Sequence, residues 1–230
     1  MVEFYKGVAW VMIYYVVCAS AALVSRKAVQ IPDEVFRKTL HFILLGSLIV
    51  YCEAFAVWWH SALFCAVFAV VVYPVLCFFE RYKTYSETVT ERKKGELKSS
   101  LLIVFFMFAT VISVFWGWLD DKMLVYAAVY AWGVGDAAAA LIGKRFGKHK
   151  ISGGKKSVEG TLAMLTVSFI STLIILSLRG GMPIYGVIIT ALAVGMASTA
   201  AELYTTGGFD TVSCPMAAMA LLIPLTMIFG

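Results

Sequence analysis

Asp136 lies in an apolar stretch, directly after Gly133-Val134-Gly135, and is followed by a segment rich in glycine and positive charge. Residues 131–160 read AWGVGDAAAALIGKRFGKHKISGGKKSVEG, with Lys144, Arg145, Lys148, Lys150, Lys155 and Lys156 set among Gly143, Gly147, Gly153 and Gly154. A carboxylate in an apolar helix is costly unless an ion pair or a bound cation compensates it. Asp136 therefore has two readings. It pairs with a neighbouring lysine, or it binds Mg²⁺, which takes one or two carboxylates together with substrate phosphate oxygens. Gly135 beside it leaves room for a nucleotide to approach the backbone. Backbone amides and ammonium groups together cradle phosphates, so the basic segment fits a phosphate site. Taken alone it fits equally an ordinary cytoplasmic loop against anionic lipid heads. Gly154-Lys155-Lys156-Ser157 resembles a P-loop ending, but the spacing is wrong and no strand precedes it, so a Walker A site is excluded.

Ser157 stands where it would cap the next helix, turning that N-terminus toward an anion. Glu159, in the first turn, is either a helix-dipole partner or a site carboxylate. Glu202 and Asp210 flank Leu203-Tyr204-Thr205-Thr206-Gly207-Gly208-Phe209, a short segment with no basic residue. Two acids there suit metal ligation or acid–base work, against the alternative of a solvated loop. Arg37-Lys38-Thr39-Leu40-His41 enters an early helix, with His41 as phosphate ligand, proton relay or structural histidine. Lys93-Lys94-Gly95-Glu96-Leu97-Lys98 closes a second basic segment whose lysines read as interfacial charge. His60 and His149 have no metal-ligand spacing.

The elements that must position these groups follow from composition. The chain has 230 residues, is 61% hydrophobic and only 14% charged, where soluble domains average about 45–50% and 25%. It is an integral membrane protein, a single catalytic domain over residues 1–230. Strand-period alternation is absent, which argues against a barrel. The five cysteines form no CxxC pair, which argues against disulfides or zinc. Apolar runs predict an all-α, polytopic membrane helix bundle of about eight transmembrane helices. The runs span about 5–24, 40–57, 60–79, 99–118, 123–143, 160–178, 183–201 and 212–229. If the second and third formed one re-entrant unit, six crossings would also fit. Segments 25–39, 80–98 and 144–157 carry 16 of the 19 basic residues. All three fall on one side of an eight-helix topology, which the positive-inside rule makes cytoplasmic, with both termini outside. Segment 80–98, the longest polar piece, reads as an interfacial helix or a lid. Nothing points to nucleic acid, and the oligomeric state stays open.

On these residues alone, Asp136, Glu159, Glu202, Asp210 and the basic loops suit Mg²⁺-dependent phosphate chemistry on a membrane-resident substrate. GDAAAALIGKRFGKHKISGGKKSVEGT further resembles the signature of the polyprenol kinase family, which includes dolichol kinase, phytol kinase and CTP-dependent diacylglycerol kinase. Arg37-Lys38 with His41, Gly95-Glu96-Leu97, and Glu202 through Pro215 (ELYTTGGFDTVSCP) resemble three further pieces of the kinase pattern. The resemblance implies transfer of a phosphoryl group, typically from CTP, to a lipid alcohol, with Mg²⁺ as cofactor. It implies metal or acid–base roles for Asp136, Glu202 and Asp210. Lys144, Lys155, Lys156 and Ser157 would hold the nucleotide phosphates, and Gly135, Arg145, Gly154, Glu159, Lys38, His41 and Glu96 would join that set. Thr211 stands where the family commonly has Asn. Phosphatidate cytidylyltransferase, a more distant relative, is the second reading, but its longer C-terminal signature is missing. An ion-coupled transporter is the third; it would need Glu53 and Asp136 on one pathway and an inverted repeat, which the sequence lacks.

Overall fold

A computed structural model describes residues 2–29, 31–79, 96–151, 156–205 and 208–230, without the side chains of residues 79 and 96–98. Most of the expected lid at 80–98 lies outside the described residues. The helices are α1 (Val2–Ala28), α2 (Asp33–Ala54), α3 (Trp58–Phe79), α4 (Glu96–Val111), α5 (Lys122–Phe146), α6 (Val158–Arg179), α7 (Ile184–Tyr204) and α8 (Asp210–Phe229). A π-helical stretch, Ile112–Trp118, continues α4. Eight helices among the described residues are long and apolar enough to cross a membrane. The protein is thus a polytopic all-α membrane protein, as its apolar runs predict. The helices α2 and α3 are separate, each of spanning length, so the re-entrant alternative falls.

Two boundaries differ from the sequence expectation in ways that matter. The α2 helix begins at Asp33, so Arg37, Lys38 and His41 sit on a helix. Acids at its start, Asp33 and Glu34, favour the N-terminal dipole and pair with Arg26 (2.9 Å) and Arg37. The α5 helix runs on to Phe146, carrying Lys144 and Arg145 in its last turn, where cations complement the C-terminal dipole.

The chain packs as two compact units, Met1–Trp118 and Leu119–Gly230. In the first, phenols tie α1 to α2: Tyr14 donates to the Ile43 carbonyl (2.6 Å) and Tyr15 to Ser47 Oγ (2.7 Å). Tyr15 stacks on Phe68, which meets Phe105 edge-on, so aromatic contacts bind α1, α3 and α4 together.

In the second unit small residues do the equivalent work. Association of helices in lipid relies on close van der Waals approach, and α5 and α6 meet through glycines. A side chain at Gly160 would come within 2.9 Å of the Ala139 carbonyl and 3.2 Å of Gly143 Cα. Deeper, Gly135 abuts Met164, and Ser168 Oγ donates to the Ala131 carbonyl (2.5 Å). The α7 helix meets α6 at Gly195, against Phe169 N (3.2 Å) and the Leu165 carbonyl (3.4 Å). At the far end Asp121 caps α5 through Met123 N (2.9 Å) and Leu124 N (3.2 Å), and it accepts from Arg179 Nε at the end of α6.

Between α5 and α6 a two-residue antiparallel ladder pairs β1 (Lys150–Ile151) with β2 (Lys156–Ser157). Replacing Gly160 with Val should separate α5 from α6. The expected loss is about 1–3 kcal/mol, read as a lower midpoint of thermal unfolding in detergent.

Candidate active site

The site lies within the second unit, at the end where α6 begins, α7 ends and α8 begins. The Gly160 contacts set the level: α6 starts opposite Ala139–Gly143 of α5. Gly135 meets Met164, six residues into α6, so Asp136 is about two turns, roughly 9 Å, below the start of α6. Glu202 is in the last turn of α7, and Asp210 is the first residue of α8. The Asp136 and Asp210 carboxylates both lie within electrostatic reach of Glu202, and all three act on the buried Cys214 thiol. Three acids separated by up to 74 positions in the chain thus share one neighbourhood.

Lys156 joins that neighbourhood from β2. Its ammonium lies 3.1 Å from Glu202 Oε1 and donates to the Glu202 and Thr205 carbonyls, the latter at 3.1 Å. It thereby caps the C-terminal carbonyls of α7 while neutralising a carboxylate, and both effects favour a cation there. Side-chain exposure of only 22% for Lys156 and 15% for Glu202 makes this more than a surface pair. Thr205 and Ser213 hydroxyls, 2.9 Å apart, fasten the end of α7 to α8.

Ser157 and Glu159 have structural partners. Ser157 is buried, its hydroxyl accepts from Gly160 N (3.2 Å) as the N-cap of α6, and Gly143, Gly147 and Gly160 close around it. Two glycines of the basic segment, Gly143 and Gly147, thus make room for a serine. Glu159 accepts from His149 N (3.2 Å) and meets His149 Nδ1 at 2.7 Å, while Val158 N donates to the His149 carbonyl (2.9 Å). Glu159 therefore holds the start of the hairpin against the start of α6. His149, read from sequence as merely interfacial, is its partner; a contact across a hairpin leaves no periodic signal.

Lys144 and Arg145 stand at the end of α5, with the Arg145 guanidinium 5.3 Å from the Phe146 ring centroid. Gly154 and Lys155 lie outside the described residues. Lys38 and His41 belong to the first unit, where Lys38 is buried. Glu96 opens α4 in that unit, with its side chain outside the described residues.

Among the described residues no three His, Cys, Asp or Glu side chains converge into a ready-made metal cage. The three carboxylates of this neighbourhood suit Mg²⁺, which is usually bound through one or two carboxylates and completed by phosphate oxygens and water.

No protein-family model and no solved structure matches the chain. Phytol kinase from Synechocystis sp. is 30% identical over 217 residues, covering 87% of this chain and 82% of that enzyme. The chain belongs to the polyprenol kinase family. Dolichol kinase from Saccharomyces cerevisiae is 48% identical over 44 residues, which is 19% of this chain and 8% of that kinase. Membership in this family of membrane lipid kinases agrees with acids and a lysine gathered at the end of a membrane helix bundle.

Two substitutions test the local geometry. A double-mutant cycle on Lys156→Ala and Glu202→Gln should return a coupling of about 0.5–3 kcal/mol from unfolding in detergent; additivity would break the pair. Glu159→Ala should release the hairpin, read as faster tryptic cleavage after Lys148 and Lys150.

Proposed function

We propose that the protein transfers the γ-phosphoryl group of CTP to the hydroxyl of a membrane-embedded isoprenoid alcohol of the phytol type. The observation that carries this reading is the Lys156–Glu202 ion pair at one end of the second unit, with Asp136 and Asp210 within electrostatic reach of it. Similarity to a phytol kinase over 87% of the chain supports the acceptor class, whereas the dolichol kinase likeness covers a single segment. The positive-inside distribution supports a cytoplasmic site, where nucleotide is supplied.

Phosphoryl transfer asks mainly for positioning and charge neutralisation. The alcohol oxygen attacks Pγ, the bond from Pγ to the bridging oxygen of CDP breaks, and the alcohol's proton passes to a carboxylate. On this reading one of Asp136 and Asp210 takes that proton, while Glu202 stays paired with the Lys156 ammonium. Asp136 and Asp210 would also hold Mg²⁺, which when bound neutralises charge on the donor phosphates. Lys144, Arg145 and Lys155 supply further positive charge along the phosphate chain. Lys156 works one step back, keeping the end of α7 and its carboxylate in place.

Purified protein in mixed micelles, given CTP or ATP and a panel of phytol, a polyprenol and diacylglycerol, should form alkyl phosphate and CDP, fastest with CTP and phytol. Release of pyrophosphate would point instead to nucleotidyl transfer. Asp136→Asn should lower turnover by about 10²-fold or more with unchanged thermal stability. Full activity in that variant would remove Asp136 from the reaction.

A further inference from the structure

Helices in lipid satisfy their serine and threonine hydroxyls within the bundle, because no water is on hand to do it. The second unit follows this rule widely. Thr199 donates to the Gly195 carbonyl (2.7 Å), Thr226 to Leu222 (2.7 Å), and Ser168 crosses to Ala131. Ser198 breaks it. The residue is fully buried, and its Oγ has no hydrogen-bond partner among the described residues. A buried hydroxyl left unpaired is costly, and an option one turn away, the one Thr199 takes, is not used.

Its position gives the vacancy a purpose. Ser198 precedes Glu202 by four residues on α7, which places both on one helix face. Packing registers then fix its depth. Gly195 meets α6 at Leu165 and Phe169, and Gly135 meets α6 at Met164 and Ser168. The helices α5 and α7 both run antiparallel to α6, so Ser198 and Asp136 are carried to the same level, beside Met164. Ser198 is thus an uncharged donor at the depth of Asp136, one turn further into the bilayer than Glu202.

We propose that Ser198 binds the hydroxyl of the lipid-alcohol acceptor. The inference rests on the kinase reading and adds the acceptor subsite to it. Ser198 Oγ–H donates to one lone pair of the alcohol oxygen. The other lone pair is left for phosphorus, and the alcohol's own proton is directed to a carboxylate at the same level. No bond to Ser198 forms or breaks. A neutral donor suits this depth, since the acceptor's only polar atom is a hydroxyl on an apolar tail and a charged donor there would be costly.

Two other hydroxyls of the second unit, Thr172 and Thr190, are likewise buried without a partner among the described residues. Thr190 is two further turns from Glu202 on α7, which makes it the comparator for a merely structural effect. The experiment measures kcat/KM for phytol and KM for CTP in Ser198→Ala, Ser198→Thr and Thr190→Val, with thermal midpoints in parallel. Ser198→Ala is expected to lose about tenfold in kcat/KM for the alcohol, with KM for CTP and the thermal midpoint unchanged. Ser198→Thr should recover most of the loss, and Thr190→Val should leave the alcohol kinetics alone. Alcohol kinetics within twofold of wild type in Ser198→Ala, or an equal loss in Thr190→Val, would overturn the assignment. If the wild-type protein phosphorylates no alcohol with either nucleotide, the kinase reading itself fails and takes this subsite with it.

Discussion

Carboxylates near one another in a membrane bundle repel, and the repulsion grows as the dielectric falls. Asp136, Glu202 and Asp210 lie under that constraint, and the second unit is built to tolerate it. Lys156 answers one part by reaching from β2 to the Glu202 carboxylate and the carbonyls behind it. The same ammonium therefore stabilises the acid and terminates the helix that carries it. On the kinase reading, a nucleotide bound with a divalent cation would answer the other part. Acids attract the cation, the cation attracts phosphates, and basic side chains of the 144–156 segment offset the charge that remains. Acid cluster and basic segment make electrostatic sense only together.

Close helix packing makes that neighbourhood reproducible. Gly135, Gly143 and Gly160 let α5 and α6 approach until backbone touches backbone, and Gly195 does the same between α6 and α7. Ser157, enclosed by Gly143, Gly147 and Gly160, fixes where α6 begins. Asp136 sits beside such a contact and Glu202 at a helix end that Lys156 caps, so packed backbone sets where both acids stand.

Much of this was legible in the sequence. Helix number follows from the apolar runs, and Asp136, Glu202 and Asp210 stand out because charge in a membrane helix is too costly to be incidental; the sequence left the separateness of α2 and α3 open. What the sequence hid is tertiary. Lys156 looked like a phosphate ligand, yet it bonds the end of α7, a contact that needs the hairpin and α7 folded together. The glycines around Ser157 looked like nucleotide-binding flexibility; two of them make room for a side chain. Ser198 carried no signal at all, since a serine among alanines in an apolar helix is unremarkable until its buried hydroxyl is found without a partner among the described residues.

The depth of Asp136 bears on turnover as well as on chemistry. A lipid alcohol is uncharged, so on the kinase reading its hydroxyl can descend about two turns below the start of α6 at the modest cost of one hydrogen-bonding group. Its phosphate ester carries negative charge and faces the same three carboxylates that organised the reaction. On the kinase reading, what admits the substrate therefore repels the product toward the interface, where water and the basic segment receive it. On that reading, acids below the start of α6 with the basic segment beyond them favour entry of a neutral headgroup and exit of a charged one.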